Sequence, residues 1–264
     1  MCRPFSIAQY GTILHGQKQD TNWTPNSHSQ MSRLFSEGLG PAVWRAGLAD
    51  PHRQWKRSRS AWELAVSWES RRTTPSGLPA EIETALAKNP HFQNPVLLFA
   101  AIEHSVVLDD PRRPSQNDLW AVLLTDAGHV SMTVEGKAGE DFDKTLAEWL
   151  GKDSPAKRKR LAFLCETLGV TRPPGTLLRY QLFHRAASAV IEARRCRLPT
   201  ALMTVQSFGE SPTSWQDYTD FAAMLGLTAE RNAVCGLRSI EGVDLYLAWI
   251  DSPLATDAVA AAAV

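Results

Sequence analysis

The chain has 264 residues, with 28 basic and 28 acidic side chains and a formal net charge of zero; 44% of its residues are hydrophobic and 21% charged. That composition excludes a disordered chain, a collagen-like chain and a strongly basic architectural protein, and leaves any nucleic-acid binding to local clusters of charge. Cys2, Cys165, Cys196 and Cys235 make no Cys-x-x-Cys pair and have no zinc spacing, which predicts free thiols in a reducing, cytoplasmic compartment. No apolar run approaches the length of a membrane span and the N-terminus lacks a secretory core, so no membrane partner is expected.

In chain order, residues 1–52 are rich in Gln, Asn, Ser, His and Gly without a sustained period, which predicts a poorly ordered extension. Residues 53–252 read as a single domain and 253–264 as an Ala-rich tail. Within the domain, Ser60 opens a helix through Arg71 with Ala61, Leu64, Ala65 and Trp68 on one face. Pro79 at a first helical position opens another, to Ala87. The apolar run 96–108 fits helix or strand; Val106-Val107 and the Pro111/Pro114 turn beyond it favour a strand. Residues 119–124 read as a buried strand, 125–128 as a turn and 129–137 as an alternating strand. Helices are predicted over 140–150, 156–168, 176–197 and 214–225, and strands over 201–207 and 243–250. This alternation predicts an α/β protein, a central mixed sheet flanked by helices.

Several signatures are absent: the phosphate-binding Gly-x-x-x-x-Gly-Lys-Ser/Thr loop, Gly-x-Gly-x-x-Gly, the Gly-x-Ser-x-Gly elbow and His-Glu-x-x-His. The seven histidines are dispersed and read as surface or capping residues.

The informative stretch is the 115–137 hairpin. Along its second strand Val130, Met132 and Val134 share one face, and Ser131, Thr133, Glu135 and Lys137 the other. A four-residue turn that sets Leu124 against His129 sets Asp118 against Glu135, and paired residues point to the same side. Two facing carboxylates repel unless a cation lies between them. A hard divalent ion meets that need with oxygen ligands, activates a water and neutralises charge on a phosphoryl oxygen, while Lys137 positions that water or stabilises the transition state. The plainer alternative is an exposed strand with a same-face Glu135–Lys137 salt bridge, worth about 0–1 kcal/mol.

Asp118 followed by Glu135-Gly136-Lys137 at a hairpin resembles the motif of the PD-(D/E)XK nuclease superfamily, with Asn117 where the motif has proline. The wider stretch from Glu103 through Glu140-Asp141-Phe142 to Arg179-Tyr180-Gln181 is similar to a poorly characterised bacterial family within it. The resemblance implies a restriction-endonuclease-like α-β-β-β-α-β core and Mg²⁺- or Mn²⁺-dependent hydrolysis of phosphodiester bonds. By position it implies Asp118, Glu135 and the Gly136 carbonyl as metal ligands and Lys137 as the catalytic lysine. Glu103 is then a further acid near the metal or, alternatively, a solvated residue past a strand end at Ile102; Glu63, Glu69 and Glu83 are other sources of that acid. The polar stripe Gln181, His184, Arg185, Ser188 and Glu192 is a solvated helix face, or it turns Gln181 and Arg185 toward the site as auxiliary residues. Lys157, Arg158, Lys159 and Arg160 are candidate phosphate contacts or simply solvated charge, as are Arg53, Lys56, Arg57 and Arg59.

Three functions follow as expectations: a nuclease acting on DNA in restriction, repair or defence, as a homodimer or with a separate recognition partner; a silent module of the same fold that binds nucleic acid or protein; and a metal enzyme acting on another phosphoester.

Overall fold

A computed structural model describes residues 34–35, 40–48, 50–152, 154–209 and 212–262. All belong to one unit spanning Ser32–Val264. A two-residue strand β1 (Leu34–Phe35) precedes helix α1 (Pro41–Gly47), the single turn α2 (Pro51–Gln54), α3 (Ser60–Glu69) and α4 (Ala80–Ala87). Three long strands follow, β2 (Val96–Val106), β3 (Ser115–Thr125) and β4 (Gly128–Lys137), then α5 (Leu146–Leu150), α6 (Pro155–Thr167) and α7 (Tyr180–Cys196). The chain continues through β5 (Thr200–Phe208), α8 (Pro212–Met224), the hairpin β6 (Ala233–Ile240) and β7 (Val243–Ser252), and the short α9 (Asp257–Ala262).

Among the described residues the strands form one sheet in the order β1-β2-β3-β4-β5-β7-β6. β2, β3 and β4 are an antiparallel meander, β5 runs parallel to β4 and to β7, and β6 closes the edge antiparallel. The sheet is mixed and flanked by helices, so the protein is of the α/β class. From α3 to β5 the chain runs through α3 and α4, the β2-β3-β4 meander, then α5, α6 and α7, and β5.

Side-chain alternation sorts the sheet into two cores. Leu119, Ala121, Val130, Met132, Val134 and Leu202 face α3 and α4, packing with Leu64, Trp68, Ile82 and Leu86. Met203, Val205, Leu245, Leu247 and Trp249 face α7 and α8, meeting Leu182, Phe183, Val190 and Phe221. α7 is enclosed over most of its circumference: Arg185, Ser188 and Glu192 are buried along with its apolar stripe, so the stripe is not a solvated face.

Two expected boundaries move. The fold begins before residue 53, because α1 inserts Trp44 into the core, 3% exposed, with its indole N–H donating to Glu69 at 3.0 Å. Pro41 at the first helical position starts that helix. Residues 1–33, most of the expected extension, lie outside the described residues. At the other end 253–262 is not a loose tail: the Ala255 N–H donates to Glu63 at 2.8 Å, and Asp257 in α9 pairs with Arg57.

Candidate functional site

The predicted register of the hairpin is observed: Leu124 pairs with His129 and Leu119 with Val134. One step further, Asp118 does not continue the main-chain ladder. Its side chain takes the ladder position instead, Oδ2 accepting the Gly136 N–H at 2.8 Å. In the neighbouring pair Ile102 faces Leu119 and His104 faces Asn117, which sets Glu103 level with Asp118. Glu103, Asp118 and Glu135 thus stand in one row across three adjacent strands. The row is charged here and apolar beyond, since Glu135 is level with Val205 and Val205 with Trp249.

β2 runs past Ile102 to Val106, so Glu103 is inside a strand, half-buried and with a positive φ of 49°. That left-handed conformation is unusual for a residue other than Gly, Asn or Asp and marks local strain at the row. Its carboxylate accepts from Gln116 Nε2 at 2.7 Å. Gly47 lies so near that a Cβ there would come within 2.8 Å of Glu103 Cγ, which is why α1 ends in glycine at this point.

Glu135 is enclosed by donors. Oε1 accepts from Lys137 Nζ at 3.0 Å and from Gln181 Nε2 at 2.6 Å, and Oε2 accepts from Arg185 Nε. Lys137 also donates to Gln181 Oε1 at 3.1 Å and lies 4.9 Å from the centre of the Phe142 ring. The cation between the two facing carboxylates is therefore Arg185, whose Nη2 is 3.9 Å from Asp118 Oδ1. Arg185 is held on the α7 backbone where Thr133 donates to its carbonyl at 3.2 Å.

The two acids respond oppositely to this shared surrounding. Burial, reinforced by the Glu135 charge and only partly offset by Arg185, pushes Asp118 up to about 7. Against its own desolvation, Glu135 is held below the usual carboxylate range by Arg185 and Lys137. Burial raises Glu103. Desolvation, helped by Arg185, keeps His184 neutral, with Nδ1 2.8 Å from Ser115 Oγ.

These side chains line a cavity of about 570 Å³ at the end of the meander, roofed by Trp44 and Leu48 of α1 and edged by Arg53 and Arg59. Glu140 also reaches it, accepting from the Ser60 N–H at 3.2 Å and the Ser60 hydroxyl at 2.8 Å at the start of α3. Its charge suits the positive end of that helix. Asp118, Glu135, Lys137, Glu103, Gln181 and Arg185 are thus brought together. Glu63, Glu69 and Glu83 are not among the lining residues: they accept from Ala255, Trp44 and Ser76.

The basic run diverges as consecutive helical positions must. Lys157 caps the Leu150 carbonyl at 2.8 Å, Arg160 pairs with Asp109 at 2.6 Å, and Arg158 and Lys159 are exposed. Sequence reasoning missed Trp44, Gln116 and Glu140. Trp44 lay in a stretch read as an extension, and neither Gln116 nor Glu140 carried a signal of its own. The histidines are not simply surface residues either: besides His184, half-buried His104 stacks on Trp120 and lies 3.3 Å from Glu192.

Among the described residues no group of three or more His, Cys, Asp or Glu side chains is arranged to hold a metal ion, and no helix is long and apolar enough to cross a membrane. Cys165, Cys196 and Cys235 are free thiols.

Sheet and cavity together define an α/β protein with a buried, charged pocket at the end of an antiparallel meander. The chain belongs to the DUF6946 family, a domain of unknown function, whose family model matches residues 38–254. No curated protein and no solved structure matches it.

Proposed function

We propose that this pocket hydrolyses phosphodiester bonds of nucleic acid, DNA foremost, as a Mg²⁺- or Mn²⁺-dependent nuclease of the PD-(D/E)XK superfamily in a cytoplasmic setting. The observation that carries the reading is the row Glu103, Asp118 and Glu135 with Lys137 beside it, opening to a cavity edged by Arg53 and Arg59. Charge balance supports it. Three carboxylates in the row meet two cations, Lys137 and Arg185, and the deficit falls on Asp118, whose Oδ1 has only the distant Arg185 Nη2. Asp118, Glu135 and the Gly136 carbonyl make a hard-oxygen donor set of the size Mg²⁺ takes when it keeps several waters.

Bound there, the ion would supply an activated water and neutralise charge on a phosphoryl oxygen. The chain's own residues do the rest. Lys137, fixed by Glu135 and Gln181, offers its ammonium to the oxygen on which charge develops. Gln181 bridges Lys137 and Glu135 and so sets the distance between base-side and acid-side groups. Glu103, tied to Gln116, adds negative charge at the far end of the row, and Arg53 and Arg59 meet flanking phosphates at the rim.

One observation favours the second reading, a silent binding module. Arg185 already places a positive charge between Asp118 and Glu135, which is the service a metal would otherwise give. A single experiment separates the two: calorimetric titration with Mg²⁺ and Mn²⁺, alongside cleavage of a panel of single-stranded, duplex and structured nucleic acids. The nuclease reading expects divalent binding, cleavage abolished in Asp118→Asn, and Lys137→Ala retaining ion binding while the chemical step slows. A wild-type protein that binds no divalent ion and cleaves nothing leaves the module.

A further inference from the structure

The acid pocket is not closed at the side away from α1. Gln116, Gln181 and Arg185 line it and also line a second cavity of about 420 Å³, which holds Trp149, Arg160 and Tyr180. Those last three line in turn a third of about 220 Å³, where Arg112, Arg113 and Lys157 join them. The three cavities therefore form one trench from the carboxylate row, over the start of α7, to the groove between the β2–β3 connection and α6.

Charge changes sign along it. In the third cavity four cations face two acids, Asp109 and Asp110. Asp110 is engaged by Arg112 at 3.1 Å and Asp109 by Arg160 at 2.6 Å. Arg113 and Lys157 make no ion pair among the described residues, which leaves a net excess of positive charge. Asp143 is the one acid at the middle cavity. The floor is aromatic, Trp149 stacked on Tyr180 with ring centres 4.0 Å apart and planes 8° apart.

Arg160 is the centre of this groove. Its Nε is satisfied by Asp109, its guanidinium also meets the Tyr180 hydroxyl, and its side chain is 11% exposed, yet Nη2 is buried with no partner in full hydrogen-bond geometry. A buried guanidinium N–H left unpaired is costly, and the group that relieves it is an acceptor entering from the groove. An oxyanion fits best, since charged acceptors make the stronger bonds to guanidinium.

We propose that this groove is a phosphate subsite for single-stranded nucleic acid, with Arg160 holding a backbone phosphate while Arg113 and Lys157 screen its neighbours and the strand runs on to the carboxylate row. A cationic trench with an aromatic floor is the construction that tracks single strands. The choice of ligand rests on the nucleic-acid reading of the acid pocket, but the binding does not depend on cleavage.

The test is fluorescence anisotropy with labelled oligothymidylate of about 12 nucleotides, in EDTA so that no cleavage occurs, across a salt series. Arg160→Gln should weaken binding about tenfold and lower the slope of log affinity against log salt by about 0.7. Asp109→Asn keeps an acceptor for Nε but frees the Arg160 charge, so it should bind several-fold tighter, which a purely structural Arg160 would not produce. Lys88→Gln, a remote exposed cation, should bind as wild type. Thermal melts identify any variant that fails to fold, and the Asp109→Asn result stands even if Arg160→Gln does. The proposal is overturned if the wild type does not bind the oligonucleotide, if a duplex of equal length binds as tightly, or if Arg160→Gln and Asp109→Asn both match the wild type. If binding behaves as expected while no divalent ion produces cleavage, the groove stands and the nuclease reading falls.

Discussion

α7 lies against both halves of the sheet, and the halves treat it differently. Against β5 and β7 it meets Met203, Val205, Leu245, Leu247 and Trp249, a surface without a charge. Against β4 it meets Ser131, Thr133, Glu135 and Lys137, every one buried. The polar half is not cheaper to bury for being satisfied, because desolvation is repaid only by near-complete pairing. That pairing exists: Ser131 donates to the Ala189 carbonyl at 3.2 Å and accepts from the Trp120 indole at 3.0 Å, and Glu135 gathers Lys137, Gln181 and Arg185. An apolar surface would pack α7 equally well. What the polar half adds is an ordered charged pocket, whose end lines the cavity of about 570 Å³.

Breaking that half at its centre should give the largest effect. Glu135→Gln leaves Lys137 and Arg185 buried with one carboxylate fewer, and is expected to destabilise by about 3–5 kcal/mol, read by urea unfolding in metal-free buffer. A value near zero would mean that the cations relax into solvent and that the pocket is softer than its hydrogen bonds suggest. In the apolar half Leu247→Ala, fully buried, should cost about 2–5 kcal/mol through a cavity. The two losses differ in a second measurement: Glu135→Gln should abolish any stabilisation by added Mg²⁺, while Leu247→Ala should retain it.

The difference between the halves also marks what could be read from the sequence. Period-two alternation placed β4, the continuous apolar run placed β3, and the turn Thr125-Asp126-Ala127-Gly128 set the register that levels Asp118 with Glu135. α3 and α6 followed from their Ser and Ser-Pro starts, and α7 from its apolar stripe, although it begins at Tyr180 rather than at 176. β6 did not: the chain shifts register between Cys235 and Arg238 at Gly236, where φ is +44° and a Cβ would meet Leu227 Cδ2 at 2.6 Å. That glycine is a bulge, and a bulge erases the alternation on which a strand is recognised. α1 was obscured because its seven residues follow a polar stretch and bury little besides Trp44. The polar stripe of α7 was visible, but its burial was not, because polarity along one helix says nothing about what covers it. Nor does spacing along one chain reveal that Arg185 would stand between two acids on neighbouring strands.

A smaller break sharpens the comparison at one hydrogen bond. Ser131→Ala removes the acceptor of the Trp120 indole N–H inside the sheet–helix interface and is expected to cost about 1–3 kcal/mol. Ala201, level with Ser131 on the next strand, has no side-chain hydrogen bond to lose. Tryptophan fluorescence offers a direct check, since the freed indole should shift its emission without loss of fold.

Asp118→Asn should act with the opposite sign. The folded-state pKa of Asp118 is raised to about 7 from an ordinary 3.8, mainly by burial and then by Glu135. A raised carboxyl favours the protonated folded form, so its contribution to stability is fully present below the unfolded value and is lost as pH climbs through about 7. Asparagine has no proton to lose and can still accept the Gly136 N–H. The variant should therefore match the wild type near pH 4, gain on it steadily as pH rises, and level off above about 7 with a melting temperature a few degrees higher. Differential scanning calorimetry at a series of pH values in EDTA reads it. A variant that loses stability at pH 8 would show that Arg185 holds Asp118 firmly ionised, and the charge deficit on which divalent binding depends would then not exist.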